Sequence, residues 1–235
     1  MGNKNADSLL SEVKLLNTRT YVEQASSHVR YGFEKNSTPP RKVGSMLELF
    51  DCLTCDKCIP VCPNDANFAL NIPPGETEIL EFEQHSDRWH IKDRRTLKLE
   101  KKYQIGNFAD FCNECGNCDI FCPEDGGPFV LKPRFFGTLE SFQHFSSYDG
   151  FFIEQNNEAE KVYARFDGNE YSRSINGESV SYSGPDFNIM FAKDDPTNTI
   201  SGEAKGTVSF ENYEIMQMMQ AAVTDASSVT YSSFL

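Results

Sequence analysis

No apolar run in this sequence approaches the roughly 18 residues that a membrane-spanning helix needs, and the start MGNKNADSLL lacks the apolar core of a secretory leader. Ala6 stands where a myristoylation signal following Gly2 prefers Ser or Thr. Cations are scarce: 22 Lys and Arg against 35 Asp and Glu leave a net charge of −13, which offers nucleic acid or anionic lipid no nonspecific attraction. No G-x-G-x-x-G opens a strand–helix unit, so no flavin or nicotinamide fold is visible, and no G-x-x-x-x-G-K-S/T phosphate loop occurs. His28, His85, His90 and His144 have no ligand spacing, and no Ser–His–Asp set stands out. The expectation is a chain without membrane insertion or nucleic-acid partner, in a reducing cytoplasmic compartment. There its eight cysteines are better metal ligands than disulfide partners.

What is present is concentrated. CLTCDKCIPVCP runs from Cys52 to Pro63 and CNECGNCDIFCP from Cys112 to Pro123, and no cysteine lies outside them. Both have the spacing C-x₂-C-x₂-C-x₃-C-P, so the whole cysteine inventory is one motif used twice. Three thiolates two residues apart wrap one tight loop around an iron–sulfur cube, with backbone N–H groups facing its sulfides. The fourth cysteine leaves the loop, and in two-cluster ferredoxins it ligates the other cluster. The expected assignment is therefore crossed. Cluster one takes Cys52, Cys55, Cys58 and Cys122; cluster two takes Cys112, Cys115, Cys118 and Cys62. Zinc, which favours separated C-x₂-C pairs, and a disulfide framework are the alternatives to two [4Fe-4S] clusters. Gly116 and Asn117 allow close backbone approach or positive φ, and Ile59, Val61, Ile120 and Phe121 are expected to shield the cubes from water.

At 235 residues, 39% of them hydrophobic, the chain has room for one large or two small domains. Residues 1–44 read as a helical arm and linker: Ser8 to Leu16 and Thr20 to Phe33 have helical spacing, and Lys35 to Lys42 reads as the linker. Ser45 to Phe50 reads as a short helical turn delivering Cys52. Residues 45–136 are expected to form a ferredoxin-like domain, with a β-hairpin inserted at about 72–106 where TEILEFEQ and HIKDRRTLKLEKKYQI alternate. Arg88, Lys92, Arg94, Arg95, Lys98, Lys101 and Lys102 make a basic stripe there, a solvated face or a patch for an acidic partner. Residues 137–235 hold fifteen acidic and five basic residues. Strand-like KVYARF, EYSRSI and ESVSYS are joined by DGN and NG turn signals. FNIMFA and GTVSF read as further strands, and NYEIMQMMQAAV, with its methionines in the core, as a closing helix. The fold class is α+β: a bacterial-type 2[4Fe-4S] ferredoxin domain with an inserted hairpin, then a small antiparallel β-domain with a C-terminal helix.

CLTCDKCIPVCPNDANF (Cys52 to Phe68) and FCNECGNCDIFCPEDGGPFVLKPRFF (Phe111 to Phe136) resemble the C-terminal 2[4Fe-4S] ferredoxin segment of glutamate-synthase-like oxidoreductases. These form the selenate reductase subunit family and are related to electron-transfer modules of dihydropyrimidine dehydrogenase. The resemblance implies electrons passing between a flavin and the clusters, with a flavoprotein or NAD(P)-dependent oxidoreductase as partner subunit or fused module. This sequence departs from the family pattern in having no flavin module, which implies a partner met in trans or a longer parent chain. The chain is expected to relay single electrons and to have no activity alone, because each cube takes four protein ligands and leaves no iron open. Two readings compete. In one the clusters staple an assembly subunit whose acidic β-domain is the interface; in the other that domain binds a reductase substrate.

Overall fold

The computed structural model describes residues 4–25, 27, 34, 42–47, 49–86, 88–101, 103–155, 160–225 and 230–231. These fall into two compact units, one from residues 1–69 and 104–134, the other from residues 70–103 and 135–235. Among the described residues no helix is long and apolar enough to cross a membrane.

The first unit carries both cysteine runs. It begins with α1, Lys4–Ala25. The two helical segments expected at Ser8–Leu16 and Thr20–Phe33 are thus one helix through Asn17, and residues 28–33 and 35–41 lie outside the described residues. The helix is tied to the second cysteine loop by Tyr21, whose hydroxyl donates to Asn117 Oδ1 at 3.0 Å. Two strands pair behind the loops, β1 (Asn67–Leu70) and β4 (Gln104–Phe108), and every residue of β4 is buried. Short helices α2 (Asn117–Phe121) and α3 (Pro128–Leu131) follow the second loop. Among the described residues of the stretch 45–50, where a helical turn is expected, none is helical, and residue 48 lies outside them. Met46 makes a parallel bridge to Asp125, Leu47 N–H donates to Asp125 O at 2.8 Å, and the chain turns only at Leu49 and Phe50. Pairing with a distant strand-like segment satisfies these amides, and that tertiary gain overrides a weak local helical preference.

The second unit contains two sheets. In the larger, β5 (Arg134–Phe136), β6 (Gly150–Gln155), β7 (Glu160–Phe166), β8 (Asn169–Asn176), β9 (Ser179–Gly184), β10 (Phe187–Ala192) and β11 (Ser201–Ala204) are neighbours in that order. All these pairs are antiparallel except β5 with β6, which is parallel. Two short helices, α4 (Leu139–His144) and α5 (Pro196–Thr199), lie in the connections β5–β6 and β10–β11. The smaller sheet sets β2 (Gly75–His85) between β3 (Arg88–Leu99) and β12 (Thr207–Ser209). Within the stretch at about 72–106, where an inserted hairpin is expected, β2 and β3 pair antiparallel, and the pairing of β2 with β12 groups them with residues 135–235. The units consequently cut the chain differently from boundaries drawn at 45–136 and 137–235. Sequence proximity to the cysteine loops does not decide which core a hairpin joins.

Turn chemistry fixes register in this unit. Asp167 (φ 51°) and Gly168 (φ 73°) connect β7 to β8 as a left-handed pair, and the Asp149 carboxylate accepts from both their amides at 2.7 and 3.0 Å. Between β8 and β9 the loop residues are Gly177 and Glu178, one residue on from the NG signal; Gly177 (φ 59°) supplies the left-handed first position. Helix α6, Glu211–Thr224, packs on β2, β7 and β8 and buries Tyr213, Ile215, Met216 and Met219. Its Tyr213 ring lies 5.3 Å from Phe191 and 5.6 Å from Tyr182, and Phe210 lies 4.8 Å from Phe82. These edge-to-face and tilted contacts make an aromatic core.

Four of the seven cations of the basic stripe, all on β3, pair with acids of this unit. Arg94 pairs with Glu78 at 2.9 Å, Arg95 with Glu211 and Glu81, Lys92 with Glu83 at 3.9 Å, and Lys98 with Glu100 at 3.0 Å. Of the two readings of the stripe, this favours a solvated, internally neutralised face.

Candidate metal centre

The two cysteine loops share a backbone as well as a spacing. Counting from the first cysteine of each, the residues two and four further on have positive φ: Thr54 (51°) and Asp56 (58°), then Glu114 (55°) and Gly116 (75°). Left-handed residues alternating with ordinary ones turn successive peptide N–H groups into one concavity, a device found at phosphate and Fe–S sites. Three of these four positions are not glycine, so the loops hold a backbone conformation that their residues rarely adopt. Of Gly116 and Asn117, expected to allow close backbone approach or positive φ, only Gly116 has positive φ; Asn117 opens α2 and donates through Nδ2 to Val61 O at 3.2 Å. A Cβ on Gly116 would meet nothing within 4 Å. Gly116→Ala is therefore expected to act through conformation alone, costing about 1–2 kcal/mol in a urea unfolding curve.

Backbone N–H groups also reach the sulfurs. Thr54 donates to Cys52 at 3.4 Å and Ala66 to Cys62 at 3.2 Å. Glu114, Asn117, Phe129 and Glu124 donate to Cys112, Cys115, Cys118 and Cys122. Hydrogen bonds of this kind favour the thiolate over the thiol.

A pocket lies at the second cysteine loop. Cys62 of the first run lines it together with Cys112, Cys115 and Cys118 of the second, beside Asn107 and Phe129. On the other side, Cys58 lies within electrostatic reach of Cys52, Cys55 and Cys122, as well as Cys118. Cys58, Cys112, Cys118 and Cys122 are buried, Cys52 and Cys62 half-buried, Cys55 and Cys115 exposed. Two asparagines link the sets: Asn67 Nδ2 donates to Cys58 O at 3.0 Å, and Asn107 Nδ2 donates to Asn67 Oδ1 at 3.0 Å.

Burial, reinforced by neighbouring thiols, pushes Cys58 up to about 12 and Cys118 up to about 11; burial also raises Cys52, Cys112, Cys115 and Cys122. Metal-free, these groups stay protonated at neutral pH. Ligands must be deprotonated, so loading releases protons and is driven by rising pH. Reconstitution with iron and sulfide is expected to be more complete in mildly alkaline than in mildly acidic buffer, read as iron per chain.

Unpartnered atoms test the fit to a sulfide-bearing group. Asn113 lines the pocket at the second loop, its Oδ1 accepting from Cys115 N–H at 3.3 Å. That bond fixes the amide's orientation, and Asn113 Nδ2 is buried with no partner among the described residues. A buried, unpartnered donor on a residue that lines a pocket with four thiols suits a cluster sulfur. Among the described residues no three His, Cys, Asp or Glu side chains close on a point as ligands of one metal ion.

The expected shield is different in composition. Ile120 and Phe121 are 54% and 37% exposed. On α2 they follow the buried Cys118 by two and three residues, so a 100° step per residue turns Ile120 to the opposite face. Ile59 and Val61 are half-buried, and the buried neighbours of the loops are instead Leu47, Ala66, Asn67, Asn107 and Phe108.

Sequence reasoning missed the polar groups around the thiols. Glu124 is 2% exposed, and its carboxylate accepts from Leu53 N–H at 3.3 Å and Ser45 Oγ at 3.4 Å. Lys132 and Arg134 are also buried. Burial lowers the Lys132 ammonium, opposed by the nearby Cys52 and Glu124. The available signal was a K-P-R set directly after the apolar run GPFVL, where charge is otherwise absent.

Residues 48–125 match the family described as "4Fe-4S dicluster domain". This segment is iron–sulfur and ferredoxin-like. Two curated relatives, both named "Putative oxidoreductase YgfK" and from Escherichia coli strains K12 and O157:H7, are each 31% identical to the chain over 100 residues. The matched stretch is 43% of this chain and only 7% of either relative. No solved structure matches the chain.

Proposed function

We propose that the chain is an electron-transfer protein or module. Cys52, Cys55, Cys58 and Cys122 hold one [4Fe-4S] cluster, and Cys112, Cys115, Cys118 and Cys62 hold the other. A flavoprotein or NAD(P)-dependent oxidoreductase, as separate subunit or fused module, is the partner. The observation that carries the reading is Cys62 lining one pocket with the three loop cysteines of the other run. When bound, such clusters supply one-electron exchange. The chain's own residues hold the thiolates with peptide N–H groups, leave Cys55 and Cys115 toward solvent, and bury the sulfurs between them. Every cysteine is used as a ligand, so no ligand position is left for a substrate.

The likeness to a named oxidoreductase over 100 residues supports the partner class. Anaerobically prepared protein is expected to carry about eight irons per chain and to give a reduced-cluster EPR signal with dithionite. Iron without a reducible signal would sink the electron-carrier reading. Anaerobic purification from the native host tests the partner: recovery of no flavoprotein at native abundance would count against it.

A further inference from the structure

We propose that Arg134 and Asn113 make the second thiol set (Cys112, Cys115, Cys118, Cys62) the higher-potential of the two sites, so that an electron entering the protein comes to rest there. The inference rests on the two-cluster reading above and adds an order to it.

Reduction adds one negative charge, so a fixed cation or a hydrogen-bond donor beside a cluster stabilises the reduced form and raises its potential. Around the second set both are present. The Arg134 side chain is 3% exposed, and its Nε donates to Phe129 O at 3.1 Å. Phe129 lines the pocket, and the N–H of that residue faces Cys118. Arg134 thus binds the carbonyl of a residue whose amide serves a ligand sulfur, and its charge acts on Cys112 directly. Its acidic neighbour Glu114, at 3.7 Å, is 41% exposed. Water screens that carboxylate far more than it screens the buried guanidinium, so the local field is positive. Asn113 adds its buried, unpartnered Nδ2.

The first set lacks this bias. Its buried charged neighbours are the Glu124 carboxylate, bonded to the amide next to Cys52, and Lys132. These have opposite sign and act on the same sulfurs, Cys52 and Cys122. Leu53 occupies the position equivalent to Asn113, so the first loop has no side-chain donor there.

The test is an EPR-monitored redox titration of the whole chain, prepared anaerobically, in the wild type and three variants. The wild type is expected to show two one-electron waves. Asn113→Asp keeps the oxygen that accepts from Cys115 while replacing the donor with a negative charge; it is expected to move only the upper wave, downward. Arg134→Met is expected to move the same wave down by a tenfold change in reduction equilibrium, about 59 mV for one electron. Arg134→Lys, which keeps the charge, is expected to recover most of that shift; a role limited to packing would not give this recovery. Should Arg134→Met fail to fold, the Asn113→Asp result decides. A shift in the lower wave, no shift, an upward shift, or a single unresolved wave in the wild type would overturn the proposal. Wild-type protein without iron, or without a dithionite-reducible signal, would instead overturn the two-cluster reading.

Discussion

Cys62→Ser is expected to strip iron from the site of the second loop and to leave the first loop's site intact. About half of the iron is expected to be lost, because serine is a poor ligand for a cluster that soft thiolates hold. Cys62 precedes Pro63 by one residue, its sulfur accepts the Ala66 amide, and it lines the pocket of Cys112, Cys115 and Cys118. Cys122→Ser is the reciprocal case, and Cys55→Ser the control that is expected to empty its own loop's site. The two sites are told apart by the redox wave that responds to Asn113→Asp. If iron loss after Cys62→Ser tracked the first loop's wave instead, the crossed ligand sets would be wrong. Crossing has a structural consequence as well. In the proposed crossed arrangement each cluster would take three ligands from one loop and a fourth from the run sixty residues away, and would close the long connection between them. Closure entropy grows only slowly with loop length, and a cluster can therefore hold the two runs together across a connection that carries β2 and β3.

The cysteine spacing was legible because the chemistry depends on it directly: three ligands on one loop need two-residue gaps whatever surrounds them. Gly116 announced its left-handed φ, whereas Thr54, Asp56 and Glu114 did not, since their conformation is imposed by the loop and not preferred by the residue. The DGN turn was legible for the converse reason: Asp-Gly prefers the conformation that a two-residue hairpin loop requires. Strand β11 was not. SGEA has no large apolar residue, and it is a strand only because β10 offers it partners from Phe187 to Met190. Strand β6 hid in a continuous apolar run, Phe151 to Ile153, which periodicity cannot assign. The cysteine spacing says nothing of Lys132 and Arg134; the fold buries them. The features that set the order of the two sites thus lie in tertiary structure.

Arg165→Ala is expected to destabilise the second unit by about 3–5 kcal/mol, because three carbonyls lose one buried charged donor and an unsatisfied buried acceptor costs about 1–3 kcal/mol. Arg165 is 1% exposed near the end of β7, next to the buried Ala164, where strict alternation would turn a charged side chain out to water. Its guanidinium donates to Tyr148 O at 2.7 Å and to Phe145 O and Phe142 O at 3.3 Å. It also pairs with Glu170 at 2.7 Å and lies 4.3 Å from the Phe142 ring centroid. Those three carbonyls belong to α4 and the turns after it, a segment whose C-terminal carbonyls need donors that the helix itself does not provide. Five N–H groups in a planar fork meet that need and a lysine cannot, so Arg165→Lys is expected to recover only a minor part of the loss. Glu170 is 65% exposed, and its contact is screened by water. Glu170→Gln should therefore cost less than about 1 kcal/mol. The single tryptophan, Trp89, stands on β3 in this unit, so its fluorescence in a urea titration reads the unit's unfolding without a label. If Arg165→Ala and Glu170→Gln shifted that midpoint equally, the ion pair and not the carbonyls would hold the segment. The ordering expected here, alanine far below lysine and glutamine near wild type, distinguishes a cation that serves backbone oxygens from one that serves a surface carboxylate.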